Sequence, residues 1–115
     1  MTVGDVVRAL GCAVRGCAAC HDRIVRGAYV GDLLSEVMAH SGPDMLWITR
    51  QVHGAVVGVA ALKEHAAILI VQGAAPDEAT CAQAEREHVP ILTTGLPAFE
   101  AAGILYGLLH GRTAC

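Results

Sequence analysis

The sequence predicts an α/β fold, a single three-layer domain over residues 1–115 with a mostly parallel sheet between two helical layers. Three observations predict it. Apolar runs of strand length, Met45-Leu46-Trp47-Ile48-Thr49 and Ala67-Ile68-Leu69-Ile70-Val71 above all, are continuous rather than alternating, which is the pattern of strands covered on both faces. The runs are separated by helical stretches of about a dozen residues, too long for hairpins and suited to right-handed crossovers. Only four residues are Phe, Tyr or Trp while 13 are Gly, so the core is built from Val, Ile, Leu and Ala with helices packed closely on the sheet.

Taken in order, residues 5–10 have a short helical pattern closed by Gly11, and residues 12–14 follow as a first strand. Residues 23–30 alternate weakly and read as a second strand ending at Gly31, with Asp32 placed to cap the next helix. That helix covers residues 33–40, its apolar stripe made by Leu33, Leu34, Val37 and Met38, until Ser41-Gly42-Pro43-Asp44 breaks it. Residues 45–49 are the third strand, residues 50–53 a polar loop and residues 54–65 a helix. The fourth strand, residues 67–71, ends in Gln72-Gly73. Pro76-Asp77-Glu78 opens a helix to His88, with acidic residues where the helix dipole favours them. Residues 90–93 are the last strand, and Pro97 leads a final helix over residues 98–109, stopped by Gly111. His40, His65, His88 and His110 fall at or near helix C-termini, where capping of free carbonyls is their expected role.

Composition excludes several function classes. With 54% hydrophobic and 17% charged residues the chain is not a disordered one, and no apolar run reaches the roughly 20 residues of a membrane span. Net charge is −3, Lys63 is the sole lysine and the arginines are scattered, so no basic stripe exists to neutralise nucleic-acid phosphates. Met1-Thr2-Val3-Gly4-Asp5 lacks the pattern of a signal peptide, so a cytoplasmic location with reduced thiols is expected. No Gly-x-x-x-x-Gly-Lys-Ser/Thr loop and no Gly-x-Ser-x-Gly elbow is present, and Ser35 and Ser41 have no base nearby in sequence. A non-catalytic protein is therefore expected.

Ligands of open parallel sheets bind beyond the carboxyl ends of the strands. That rule selects Tyr29 and Asp32 after the second strand, Thr49, Arg50, Gln51 and His53 after the third, Gln72 and Gly73 after the fourth, and Thr93 and Thr94 after the fifth. They are expected to converge on one edge. In the segment 49–53 a guanidinium, an amide and an imidazole precede a helix N-terminus, a set able to hold an anionic or nucleotide-like ligand. Plain solvation of a surface loop would use the same residue types.

Cys17-Ala18-Ala19-Cys20-His21 has the spacing of a covalent haem site, but that chemistry belongs to exported proteins. Cys12, Cys17 and Cys20 would together hold zinc or iron. Against this, a matching second pair is missing, adjacent Cys20 and His21 fit poorly on one ion, and Cys81 and Cys115 lie far away. Small loop residues are the plainer account, and then no cofactor is implied.

The strings Asp22-Arg23-Ile24-Val25-Arg26-Gly27-Ala28-Tyr29-Val30-Gly31-Asp32-Leu33-Leu34-Ser35-Glu36-Val37-Met38 and Trp47-Ile48-Thr49-Arg50-Gln51-Val52-His53 resemble the DRTGG domain family. Ala60-Ala61-Leu62, Pro76-Asp77, Pro90-Ile91-Leu92 and Phe99-Glu100-Ala101-Ala102-Gly103 look like the family's spaced cores, so the likeness spans residues 5–109. Arg26 stands where the family usually has threonine and Ala28 where it has a second glycine. The resemblance implies a fold similar to the N-terminal domains of HPr kinase/phosphorylase and of Mur ligases. Such domains accompany CBS pairs or phosphotransacetylases, which implies regulation rather than chemistry. Stand-alone members look like small proteins associated with iron-only hydrogenase systems, which implies partner proteins of that kind and a redox setting for the cysteines.

In the final helix, Ile104, Leu105, Leu108 and Leu109 add apolar surface to the stripe of Phe99, Gly103 and Tyr106. A helix apolar on two faces needs two partners, so a homodimer through this helix or through residues 54–62 is expected. Three functions follow: a regulatory module for a small ligand, a metal or redox-responsive accessory protein, or a homodimeric interaction domain without ligand.

Overall fold

The computed structural model describes residues 1–111, and Cys115 lies outside them. Along the chain run α1 (Val3–Leu10), β1 (Ala13–Gly16), a 3-10 turn (Ala18–Cys20), β2 (Gly27–Val30), α2 (Leu34–His40), β3 (Met45–Thr49), α3 (Ala55–Leu62), β4 (Ala67–Ile70), α4 (Glu78–Glu87), β5 (Ile91–Thr93) and α5 (Ala98–Leu109). The strands form one sheet in the order β1-β5-β4-β3-β2. β2 to β5 are parallel, in registers such as Ala28↔Leu46, Leu46↔Ala67 and Ile68↔Ile91. β1 joins the edge of β5 antiparallel.

The continuous apolar runs are explained by two cores. Val37, Val56, Val57, Ala60 and Ala84 of the crossover helices α2, α3 and α4 pack on Trp47, Ile68, Ile70 and Ile91 of one sheet face. On the other face Val3, Val6 and Leu10 of α1 and Ala101 and Leu105 of α5 cover Leu46, Ile48, Leu69 and Leu92. Neighbours in the central strands thus face opposite cores, and polar residues enter them only at the carboxyl ends, Thr49 in β3 and Thr93 in β5. None of the described helices is long and apolar enough to cross a membrane.

Helix ends follow local chemistry. α1 starts earlier than residue 5 because Thr2 and Asp5 form a capping box: the Thr2 hydroxyl accepts from the Asp5 amide at 3.2 Å and the Asp5 carboxylate from the Thr2 amide at 2.9 Å. Gly11 ends it at φ 62°, the left-handed conformation glycine adopts without strain. Asp77 caps α4 through the Thr80 amide at 2.8 Å.

Several expectations are corrected. The second strand begins at Gly27, not Arg23, because residues 23–25 bond instead to the N-terminal segment, Val3 N–H to the Arg23 carbonyl and Val25 N–H to that of Met1. The first strand is shifted to Ala13–Gly16, and α3 ends at Leu62. Asp32 does not cap α2; Leu33 holds that place without a side-chain bond and is 62% exposed, outside the stripe assigned to it. Of the four histidines, His88 ends α4 by its own left-handed backbone, His40 pairs with Glu36 at 3.1 Å and the His110 ring lies on Tyr106. His65 is not a surface cap at all: it is 1% exposed, 2.8 Å from the Ser41 hydroxyl and tilted against the Trp47 ring. The thiols are not all reduced either, since Cys17 and Cys20 are joined in a disulfide.

Candidate functional site

Topology singles out one crevice. β4 is followed by α4 on one face of the sheet, whereas the adjacent β5 is followed by α5 on the other. Connections that part to opposite faces leave a gap beyond the strand ends, the switch point where α/β sheets bind ligands. A cleft of about 280 Å³ opens there, bordered by Gly73, Ala74 and Ala75 after β4, by Thr93, Thr94 and Gly95 of β5 and its loop, and by Arg15 of β1.

Each wall has a local cause. Gln72 and Gly73 both have positive φ, 62° and 73°, and the Ala74 amide bonds the Val71 carbonyl at 3.4 Å, giving a tight turn of the primed kind. The turn is tied to the β5 side by Gly73 N–H to the Thr94 carbonyl at 3.0 Å and Gln72 N–H to that of Leu96 at 2.9 Å. Glutamine in a left-handed position stores strain, a feature that gathers at ligand sites. The Thr94 hydroxyl donates to the Leu10 carbonyl and accepts from the Leu96 amide, both at 3.3 Å, fixing the loop on α1.

Arg15 reaches the cleft through a β-bulge. Val14 pairs with Leu92 and Gly16 with Ile91, so Arg15 is the extra residue between two consecutive partners. Bulges re-aim side chains, and here the Arg15 guanidinium donates from Nε to the Thr93 hydroxyl at 3.4 Å. Among the described residues a cation lines the cleft and no carboxylate does. Its field therefore favours an anion.

The residues selected from the sequence divide into groups. Gly73, Thr93 and Thr94 line the cleft and Gln72 forms the turn beneath it. Asp32, Thr49, Arg50 and Gln51 form a second cluster, at the β2 and β3 ends. The Asp32 carboxylate accepts from the Thr49 hydroxyl at 2.7 Å and the Arg50 amide at 2.9 Å, and Gln51 Nε2 donates to the Asp32 carbonyl at 3.1 Å. The Arg50 amide and the Thr49 hydroxyl hold the Asp32 carboxyl below the usual carboxylate range. The Asp32 carboxylate, the Thr49 hydroxyl and the Gln51 amide group are thus engaged within this cluster. His53 Nδ1 accepts from the Ala55 amide at the start of α3. Tyr29 lies in the body of β2 with its ring over Gly31, where an added Cβ would stand 2.9 Å from Cε2. Arg15 escaped the sequence because β1 was drawn as ending at Val14; the lone arginine before Gly16 is the signal of a bulge.

The three-thiolate metal set does not form. Cys17 and Cys20 are bonded to each other, with Cα atoms 5.5 Å apart. Cys12 lies half-buried against the α1 core, where burial pushes its thiol up to about 11. Among the described residues no three His, Cys, Asp or Glu side chains gather as a metal ion needs. The chain does not fit zinc or iron at these positions.

Fold and cleft together define an α/β module with a cleft at the switch point of its sheet. No family model matches the chain and no curated protein matches it. Among solved structures it is similar to the CBS and DRTGG domains of the regulatory region of Clostridium perfringens pyrophosphatase, crystallised with its activator, diadenosine tetraphosphate. The TM-score is 0.76 at 9% identity, over 97% of this chain and 50% of that one. The chain thus spans about half the length of that structure, and the likeness is one of fold.

Proposed function

We propose that this chain is a regulatory module, not itself catalytic, that binds a small anionic, nucleotide-like ligand in the cleft between β4 and β5. The observation that carries the proposal is the bulged Arg15 at a switch-point cleft that no carboxylate lines among the described residues. Arg15 would pair with a phosphate, the Thr93 hydroxyl would share it, and the backbone of Ala75 and Gly95 would approach the ligand closely. A Cβ at Gly95 would meet nothing within 4 Å, so packing does not require glycine there and its absence of side chain leaves room for a ligand. The regulatory pyrophosphatase of the same fold, with its nucleotide activator, supports the ligand class. The DRTGG resemblance supports a role in regulation, and we propose that it is exerted on partner proteins, with those of an iron-only hydrogenase system as candidates.

Thermal shift and calorimetry with diadenosine tetraphosphate, ATP and AMP test this. A ligand at a hundredfold excess over its Kd raises the melting temperature on the order of 10 °C. Arg15→Ala should abolish the rise and leave the ligand-free melting temperature within a few degrees. No shift from any of the three at millimolar concentration would refute the proposal.

A further inference from the structure

Two residues beyond the cleft's cation, the chain carries a disulfide that ligand binding alone does not explain. Among the described residues β1 is an edge strand whose sheet partner is β5. Its exit is seated on α4. A Cβ on Gly16 would stand 2.9 Å from the Ala84 Cβ, so the backbone approaches as closely as glycine allows. The Cys17 amide donates to the Glu85 carboxylate at 2.7 Å, and Arg23 Nη1 donates to the His88 carbonyl at 3.2 Å, near Cys20 Sγ. The disulfide closes a small ring within this turn, at a sequence separation of 3, and so fixes the shape in which the turn meets the end of α4. So short a ring constrains the unfolded chain little compared with a long one, which makes global stapling a poor account of it. Cys17 is 3% exposed and Cys20 is partly open to solvent, so a reductant has access from one side.

We infer that the Cys17–Cys20 pair is a redox control on the β4–β5 cleft. Oxidised, it holds the end of β1 on α4 and keeps Arg15 at Thr93; reduced by a dithiol, it frees the segment after Gly16 and Arg15 with it, and the cleft loses affinity for an anion. In the reduction a thiolate of the dithiol attacks Cys20 Sγ, the S–S bond breaks and Cys17 leaves as a thiolate that takes up a proton. The second thiol of the dithiol then displaces Cys20. The pair gains two electrons and two protons and the dithiol ends as its own disulfide. The affinity change rests on the cleft being the ligand site, whereas the movement of Arg15 does not.

The test uses the full chain, 15N-labelled, oxidised or reduced with dithiothreitol, with the state of Cys17 and Cys20 fixed by alkylation and mass spectrometry. Reduction should move the Arg15 Nε–H resonance toward that of free arginine and speed amide exchange at residues 13–16 about tenfold. It should also weaken binding of diadenosine tetraphosphate about tenfold, within the usual range of coupling between sites. The Cys17→Ser/Cys20→Ser variant should behave as reduced protein whether or not reductant is present. An unchanged Arg15 resonance and unchanged exchange would overturn the inference, as would equal affinity in the two states, failure of the pair to oxidise, or loss of all helical circular dichroism on reduction. If the oxidised protein binds no nucleotide, the ligand proposal fails by itself and the Arg15 resonance still decides the coupling.

Discussion

Lowering the pH from 7 to 5 should destabilise this protein through one side chain, His65. Its ring is buried between Ser41 and Trp47. The Ser41 hydroxyl donates to the Val37 carbonyl at 2.5 Å, so its lone pair accepts from His65 Nε2–H. Nδ1 is then a buried acceptor without a partner. A proton added there would be a buried charge whose N–H has nothing to bond. Burial, with the charges of Lys63 and Arg23, accordingly pushes the ring down from 6.5 to about 4. The unfolded chain takes up a proton below 6.5 that the folded one refuses, so stability is whole above 6.5, falls as pH drops toward 4 and levels off below that. The full loss is about 3 kcal/mol, and about 2 kcal/mol is already gone at pH 5. Asp5, Asp32 and Asp77, all held below 3.8, titrate outside this window. Urea unfolding should show a midpoint about 1.5 M lower at pH 5 than at pH 7, and His65→Gln, which stays neutral, should lose most of that difference. The same drop in the variant, or none in the parent, would refute the placement of His65.

Two further outcomes separate the regions of the molecule. Asp32→Ala removes the acceptor of the Thr49 hydroxyl and the Arg50 amide and should cost about 1–3 kcal/mol in urea unfolding. Nucleotide affinity should stay within about twofold, since Asp32 braces one loop cluster while the cleft belongs to another; a loss of binding matching that of Arg15→Ala would place the ligand at the β2 and β3 ends instead. Phe99 and Tyr106, 89% and 55% exposed, lie seven residues apart on one side of α5, a surface that the expected homodimer would cover. Sedimentation should find a dimer that Phe99→Asp converts to a monomer, and a monomeric parent would remove that interface.

The strand cores, the crossover helices and the soft boundaries between them were legible because burial on both faces writes an unbroken apolar run, and a crossover needs a fixed minimum of chain. The final helix was drawn with the bounds the structure has, Ala98–Leu109, since Pro97 and Gly111 punctuate it. The edge strands were read less well. β1 and β2 each pair on one side only, so their sequences carry no such signature, and residues 23–26 look as much like strand as like the extended segment that bonds to the N-terminus. His65 shows a second limit: a polar residue after a helix reads as a cap until its partners Ser41 and Trp47, distant in sequence, are known.

For the selected residues that end the parallel strands or lie in the loops after them, sequence alone determined the sheet edge, because a parallel strand has only one end from which its loop can leave; Tyr29, inside β2, and Arg15, on an antiparallel strand, are the exceptions. Which of them meet was decided by tertiary structure. The gap between β4 and β5 exists because α4 and α5 pack on opposite faces, a choice made by whole-helix burial and absent from any local pattern. The arrival of Arg15 from the antiparallel strand depends on a pairing between residues more than seventy positions apart, Ala13 with Thr93.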